Sequence, residues 1–246
     1  MVMEVLGSGS DGNCYLLRAG NGEVLMLEAG VGFTEVKKAL GWSLRGLVGC
    51  VVSHRHGDHA KYLPDTLRCG VRVLALPDVT ERLSTAYAVF AKAAEPMKGY
   101  RMGGFRVLVL PVEHDVPCAA FAISHPEMGR LLFATDTAAL RWRVEGLTQV
   151  MIEANYCPEL LQRNVESGVV PTALALRLSS THMSIGCAAE WLRRSDLSQV
   201  SNVVLLHLSG TNGDADYFRR VAGEACGKAV AIAARGLRLD FSKVPY

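Results

Sequence analysis

The stretch Ser53-His54-Arg55-His56-Gly57-Asp58-His59 decides the fold that we predict for this chain. It places four side chains that commonly bind metals, those of His54, His56, Asp58 and His59, within six consecutive positions. The apolar run before it, Val48 to Val52, is typical of a buried strand, so the four side chains lie on the loop where a strand ends. Burying so many polar groups without a partner is costly. The spacing His-x-His-x-Asp-His therefore predicts metal binding rather than packing.

Three further polar side chains follow apolar runs elsewhere in the chain. His114 comes after a run that ends at Leu110, Asp136 comes after Leu131 to Ala134, and His207 comes after Val203 to Leu206. A lone histidine at the end of a strand is more often structural than a ligand. The cluster at 54 to 59 changes that balance, because two metal ions need more than four ligands. Imidazole and carboxylate suit Zn²⁺, with Mn²⁺ or Fe as alternatives.

Length and composition predict one domain over residues 1–246, because no linker, charge block or low-complexity segment divides the chain. Its apolar runs fall far short of the ~20 residues that a membrane helix needs. The first residues lack the features of a secretion signal, so we expect a cytoplasmic protein without a membrane partner. A net charge of +2 gives no global case for nucleic-acid binding. The seven cysteines contain no Cys-x-x-Cys pair and are expected to be reduced.

Strand and helix patterns alternate along the chain in two similar stretches. The first has a hairpin over Cys14 to Glu28, a helix over Phe33 to Leu40 and the strand Val48 to Val52. The second has strands and then helices, and we predict them at Phe105 to Leu110, Ala119 to Ile123, Leu131 to Ala134, Val150 to Glu153, Leu160 to Val165, Ile185 to Arg194, Val203 to His207 and Ala215 to Cys226. This order predicts an α+β fold in which two sheets pack face to face with helices outside.

The His-x-His-x-Asp-His stretch and the order of the later ligands resemble the metallo-β-lactamase superfamily over nearly the whole chain. The resemblance implies a four-layer αββα sandwich with two mixed sheets and two divalent metal ions, zinc being the first expectation. It assigns His54, His56 and His114 to one metal, and Asp58, His59 and His207 to the other. Asp136 matches the carboxylate that bridges the two ions.

Smaller motifs resemble the YycJ (WalJ) branch of that superfamily, whose members are nuclease-like hydrolases. These motifs are Gly7-Ser8-Gly9-Ser10-Asp11-Gly12-Asn13-Cys14, Glu153-Ala154-Asn155-Tyr156, Thr181-His182-Met183-Ser184 and His207-Leu208-Ser209 with Asn212. Two positions depart from the family pattern. Glu28 stands where Asp is usual, and we expect it to hold the histidine stretch by hydrogen bonds. Gly213 replaces the second residue of a common Asn-Asn pair.

The glycines at 7, 9 and 12 also fit a dinucleotide-binding pattern. That pattern must open a helix, whereas Cys14 to Glu28 indicates a hairpin. We therefore expect this glycine loop to approach the metal site instead.

The resemblance implies a phosphodiesterase or nuclease acting on nucleic acid or on a small phosphodiester. Asp58 would orient the attacking water, and His182, paired with Glu153, would protonate the leaving group or contact the phosphate. The alternative role for residues 179–184 is to cap a helix with His182 merely exposed. His125 is expected to be structural or solvent-facing. The rival functions are a thioesterase or lactonase of the same fold and a metal-binding scaffold without turnover, and the sequence leaves the oligomeric state open.

Overall fold

The computed structural model describes residues 1–87 and 89–243 and contains two seven-stranded sheets. In chain order the strands are β1 (Val2–Gly7), β2 (Cys14–Arg18), β3 (Val24–Leu27), β4 (Leu47–Val52), β5 (Val73–Ala75), β6 (Ala91–Ala93), β7 (Gly99–Met102), β8 (Phe105–Val112), β9 (Cys118–His125), β10 (Gly129–Ala134), β11 (Gln149–Glu153), β12 (Asn202–Leu206), β13 (Val230–Ile232) and β14 (Arg238–Asp240). The order is β14-β1-β2-β3-β4-β5-β6 in the first sheet and β13-β12-β11-β10-β9-β8-β7 in the second.

Both sheets are mixed in the same way. In the first, β14 to β3 pair antiparallel and β3 to β6 pair parallel. In the second, β7 to β10 pair antiparallel and β10 to β13 pair parallel. The parallel strands are almost continuously apolar, which is expected where both faces of a sheet are covered.

Within residues 1–87 and 89–243, eight α-helices connect these strands. They are α1 (Phe33–Ala39), α2 (Gly57–Ala60), α3 (Leu63–Arg68), α4 (Pro77–Thr80), α5 (Pro158–Glu166), α6 (Thr172–Thr181), α7 (Ile185–Arg194) and α8 (Ala215–Cys226). Among the residues that the structure describes, no helix combines the length and the apolar character needed to cross a membrane.

Three apolar clusters account for the layers. The central one lies between the sheets and includes Tyr15, Phe121 and Phe133 from facing strands. A second cluster packs α7 and α8 against the outer face of the second sheet, and a third packs α1 and α3 against the outer face of the first. The predicted architecture, with two sheets face to face and helices outside, is confirmed.

The structure differs from the sequence predictions at two helices, and it decides between the two alternatives for His125. Gly57–Ala60 forms one turn of helix rather than the predicted loop, because the backbone N–H groups of His59 and Ala60 both bond the His56 carbonyl. Helix α6 is absent from the prediction, since its exposed residues show little amphipathic spacing. His125 ends β9, where its ring lies 4.6 Å from that of Phe105 and is only 6% exposed, so it is structural and not solvent-facing.

Candidate metal centre

The ends of one strand in the first sheet and of three alternate strands in the second bring the predicted ligands together at one edge of the two sheets. The histidine stretch follows β4 in the first sheet. His114, Asp136 and His207 follow β8, β10 and β12 in the second. Carboxyl ends of parallel strands meet at the same edge, so side chains that are distant in sequence become neighbours there.

His54, His56 and His114 form the first cluster of potential ligands. The Nε2 atom of His114 lies 3.3 Å from Nδ1 of His56. Two donors that each lie about 2.1 Å from one tetrahedral ion are about 3.4 Å apart, so this separation fits a shared cation. The Nε2 atom of His54 is buried and has no hydrogen-bond partner among the described residues, as expected for a nitrogen reserved for an ion.

Asp58, His59, Asp136 and His207 form the second cluster. One carboxylate oxygen of Asp58 lies 3.2 Å from Nε2 of His59 and 3.2 Å from Nε2 of His207. Asp136 reaches both clusters: its Oδ1 is 3.1 Å from His59 Nε2, and its Oδ2 is 3.9 Å from His54 Nε2. The structure therefore brings together all seven residues that the sequence analysis assigns to metals, with Asp136 between the two groups.

In four of the five histidines the second nitrogen faces a group that fixes the ring; in His207 that group is Glu153, whose Oε1 lies 3.2 Å from Nδ1. His54 Nδ1 is 2.9 Å from the Ser53 hydroxyl, His114 Nδ1 donates to the Thr181 carbonyl at 2.7 Å, and His56 Nε2 is 3.2 Å from Asp115. Such partners orient metal-binding imidazoles and fix their tautomers. Four imidazoles with one nitrogen anchored and the other turned to a shared centre, together with His59, fit divalent cations of the zinc class.

Burial and charge act against each other on these groups. Burial lowers the pKa of His54, and the charge of His59 lowers it further, so this ring is neutral as a ligand must be. Burial also acts to lower the pKa of His207, but the carboxylates of Asp136, Asp58 and Glu153 outweigh it and raise the pKa to about 10. For Asp58, burial acts to raise the pKa, and hydrogen bonds from His207 and His59 bring it well below its usual range. A cation that binds His207 must displace the proton that these carboxylates stabilise on its ring.

Glu28 lies beneath the histidine stretch, fully buried at the end of β3. Its two carboxylate oxygens accept from the Ser53 backbone N–H at 3.2 Å, and Oε2 lies 3.6 Å from His59 Nδ1. The second distance is too long for a hydrogen bond. Glu28 has φ 64° and His207 has φ 55°, a left-handed backbone that costs energy in residues other than glycine. Both strained residues support the candidate centre.

The glycine loop at residues 7–12 does approach the site. Asn13 at its end lies 3.1 Å from His59 Nε2 through its Nδ2 atom, and its backbone N–H donates to the Asp58 carbonyl at 2.7 Å. A Cβ atom at Gly30 would overlap that same carbonyl, so this close approach requires glycine. Cys14 to Leu27 forms the predicted hairpin, which excludes the dinucleotide-binding interpretation.

His182 and Glu153 meet beside the second cluster. The Nδ1 atom of His182 is 2.6 Å from Glu153 Oε1 and 3.7 Å from Asp136 Oδ2. Glu153 is fully buried, and its Oε2 accepts from the backbone N–H groups of Thr137 and Met183 at 3.0 Å each. Burial acts to lower the pKa of His182, but the hydrogen bond and charge of Glu153 raise it. His182 is the C-cap residue of α6 and its side chain is 14% exposed, so it is not merely a surface residue.

Several residues without a role in the sequence prediction lie at the centre. Asp115 lies 3.2 Å from both His56 and His114 and also pairs with Arg177 at 3.0 Å. The amide of Asn155 donates to the His207 carbonyl at 2.8 Å, and the Ser8 hydroxyl accepts from the His207 N–H at 3.0 Å. Ser8 and Asn155 belong to the motifs quoted above, and Asp115 directly follows His114. Their positions in or beside these motifs were the available signal, but the motifs did not indicate what each residue contacts.

Comparison with known proteins gives a consistent result. Residues 25–208 match the family model described as the beta-lactamase superfamily domain. No curated protein matches the chain. Three similar solved structures are the metallo-beta-lactamase fold protein YhfI from Bacillus subtilis (TM-score 0.73, 18% identity, covering 97% of this chain and 99% of that one), Zn²⁺-bound PqqB from Methylobacterium extorquens (0.72, 15%, 98% and 100%) and the short form of human tRNase Z (0.62, 14%, 98% and 99%). At such identities the likeness shows the fold, and it confirms the predicted αββα sandwich.

Proposed function

This chain belongs to the beta-lactamase superfamily, and from that premise we propose that it is a metal-dependent hydrolase that cleaves phosphodiesters, with nucleic acid as its substrate. We assign it to the YycJ-like branch on its glycine loop and on the motifs around Glu153 and His182. One observation supports the choice of phosphodiester cleavage within this family. It is the 2.6 Å contact between His182 and Glu153 beside the candidate metal centre.

The donor set supports two divalent ions, which we propose to be zinc. His54, His56 and His114 would hold one ion, and Asp58, His59 and His207 the other, with Asp136 between them. A Zn²⁺-bound neighbour with the same fold is consistent with this choice of metal. When bound, such a pair supplies water activation near neutral pH and offsets negative charge at phosphorus.

The remaining steps belong to side chains of this chain. Asp58 accepts a hydrogen bond from the attacking water and holds its oxygen toward phosphorus. Glu153 engages Nδ1 of His182 and keeps the ring charged, which leaves Nε2–H to donate a proton to the departing alkoxide. Acyl substrates with good leaving groups need such an acid less, so the pair favours phosphodiester over thioester or lactone chemistry. The fold shared with tRNase Z is consistent with a nucleic-acid substrate.

The test combines metal analysis of the purified protein with turnover of three substrates: bis-(p-nitrophenyl) phosphate, a thioester and a lactone. We expect two divalent ions per chain and hydrolysis of the phosphodiester. The Asp136→Ala variant should lose both the bound ions and the hydrolysis. Activity confined to the thioester or the lactone would refute the phosphodiesterase proposal. Metal binding without turnover of any of the three would favour the scaffold alternative.

A further inference from the structure

The outer face of the second sheet carries two open grooves on either side of one loop. The loop, residues 137–147, connects β10 to β11 and is called the crossing loop below. The Trp142 indole donates to the Pro111 carbonyl in β8 at 2.7 Å, and the Trp191 indole of α7 donates to the Trp142 carbonyl at 3.0 Å. The groove next to α7 has a volume of about 480 Å³, and the groove over β7 to β10 about 470 Å³.

Three arginines form a row across the groove over β7 to β10. Arg101 in β7 is the cross-strand partner of Arg106 in β8, which pairs with Ser124 in β9, and Ser124 pairs with Arg130 in β10. Partners of this kind project from the same face, and like charges directly opposite each other destabilise a sheet. At about 4.8 Å per strand the row spans about 14 Å. In the described part of the chain, none of the three lies within 4 Å of a carboxylate.

Three more arginines line the groove next to α7. They are Arg141 and Arg143 of the crossing loop and Arg194 of α7. Arg141 pairs with Glu113 at 2.9 Å and Arg194 lies 3.9 Å from Glu190, whereas Arg143 has no carboxylate partner among the described residues. Together the two grooves are lined by six arginines and one acid, Glu190. Since the whole chain has a net charge of only +2, this concentration is local.

The groove next to α7 lies near the candidate metal centre, and the groove over β7 to β10 lies farther from it. Arg130 stands at the start of β10 and Asp136 just beyond its end, six residues or about 20 Å further along an extended chain. The groove next to α7 reaches Ala139 and Leu140, which follow Asp136, and Gly186 and Cys187, which follow His182 and Ser184. Val144 lines one groove and Arg143 the other, so the two are adjacent along the crossing loop.

We propose that these six arginines form a track that binds the phosphate backbone of a nucleic-acid strand and directs it to the metal centre. The direction of the track rests on the proposed nuclease function. Guanidinium groups bind phosphate through two parallel hydrogen bonds, and a row of them in open grooves suits an extended polyanion better than a single small anion. A bound backbone would also relieve the repulsion between Arg101 and Arg106.

The test uses the triple variant R101Q/R106Q/R143Q, which removes three exposed arginines without a carboxylate partner. The matched control R45Q/R163Q/R238Q removes the same number of charges from exposed positions outside both grooves, and these arginines also have no carboxylate partner among the described residues. Binding of a fluorescein-labelled single strand of about 16 nucleotides, as RNA and as DNA, is followed by anisotropy in EDTA between about 50 and 200 mM salt. Hydrolysis of bis-(p-nitrophenyl) phosphate by the metal-loaded protein is measured in parallel.

We expect the track variant to bind on the order of 10- to 100-fold more weakly at about 0.1 M salt. Its slope of log affinity against log salt should fall by roughly 2, since each lost phosphate contact on a single strand contributes about 0.7. The control variant should retain its affinity, and both variants should hydrolyse the small substrate as the unmodified protein does. Unchanged affinity in the track variant, equal losses in both variants, or no binding by the unmodified protein would overturn the track.

These outcomes separate the track from the proposed function. If track-dependent binding occurs but neither oligonucleotide nor bis-(p-nitrophenyl) phosphate is cleaved by the metal-loaded protein, the nuclease proposal fails and the track stands. If cleavage occurs while binding is indifferent to the track arginines, the track fails and the nuclease proposal stands.

Discussion

At the scale of single residues, the pair His182 and Glu153 is what distinguishes a phosphodiesterase from a site that only binds metal. A fully buried carboxylate that accepts from His182 and from two backbone N–H groups has a fixed position, so the imidazole it engages is also fixed. We expect His182→Ala to lower hydrolysis of a dinucleoside monophosphate, which has an alkoxide leaving group, by about 10² to 10⁴. Hydrolysis of bis-(p-nitrophenyl) phosphate should fall much less, because its leaving group needs no proton.

The ratio of the two rates is the measurement that matters for His182, with metal content checked in the same preparations. His125→Gln is the matched control, because His125 lies in the fold against Phe105 and away from the ligands. That variant should leave the ratio unchanged. Equal losses on both substrates in His182→Ala would show that His182 acts on the structure of the site and not on the leaving group.

Glu28 tests how far a buried support controls the metal ligands. Its carboxylate accepts from the Ser53 N–H, and an amide in its place would turn a donor group toward that N–H or toward His59. We expect Glu28→Gln to lower the free energy of unfolding by about 1–3 kcal/mol and metal affinity by about 10- to 100-fold. Urea unfolding and metal titration measure the two effects.

Glu35→Gln is the matched control for Glu28→Gln. It removes a carboxylate that pairs with Lys38 on the surface of α1, where such pairs contribute about 1 kcal/mol or less. Its metal affinity should equal that of the unmodified protein. Wild-type metal affinity in Glu28→Gln would mean that the histidine stretch keeps its geometry without Glu28.

At the scale of elements, the segment 179–184 does cap a helix. The Ser184 hydroxyl accepts from the Cys187 N–H at the start of α7. We expect Ser184→Ala to cost about 1 kcal/mol of stability with little change in turnover. Ser198→Ala, at an exposed position without such a bond, should stay within about 0.5 kcal/mol. A loss of turnover in Ser184→Ala as large as in His182→Ala would contradict separate roles for these two neighbours.

The elements that sequence predicted are those with a strong local signal. Apolar runs located β4, β10 and β12, and the polar side chains after each run are the candidate ligands that the structure brings together, because strand ends are local features. Helix α2 is a single turn and α6 is mostly exposed, so neither shows a period that a pattern search detects. The arginine row could not be predicted from the sequence, because Arg101, Arg106 and Arg130 become neighbours only through a strand register that long-range pairing fixes.

At the scale of the whole molecule, the candidate centre joins the two sheets. His54 and His59 come from the first sheet, and His114, Asp136 and His207 come from the second. Their side chains are polar and largely buried, so a cation that binds them offsets a desolvation cost that would otherwise oppose packing of the sheets at this edge. The metal is therefore expected to affect the stability of the whole αββα sandwich and not only of one loop.

This coupling predicts that removing the metal destabilises the entire fold in one transition. A ligand that binds only the folded protein stabilises it by about 2.7 kcal/mol at 100 times its dissociation constant. For a chain of this size that corresponds to about 5 to 10 °C in melting temperature. We expect chelation to lower the melting temperature by this amount, and near-UV circular dichroism and tryptophan fluorescence to report coincident midpoints.

The variant His54→Gln/Asp58→Asn should melt at the same temperature with and without chelator, because it lacks a ligand from each cluster. Metal analysis must show that the ions are present before chelation and absent after it. If the melting temperature of the unmodified protein is then unchanged, the two sheets pack stably without the metal centre.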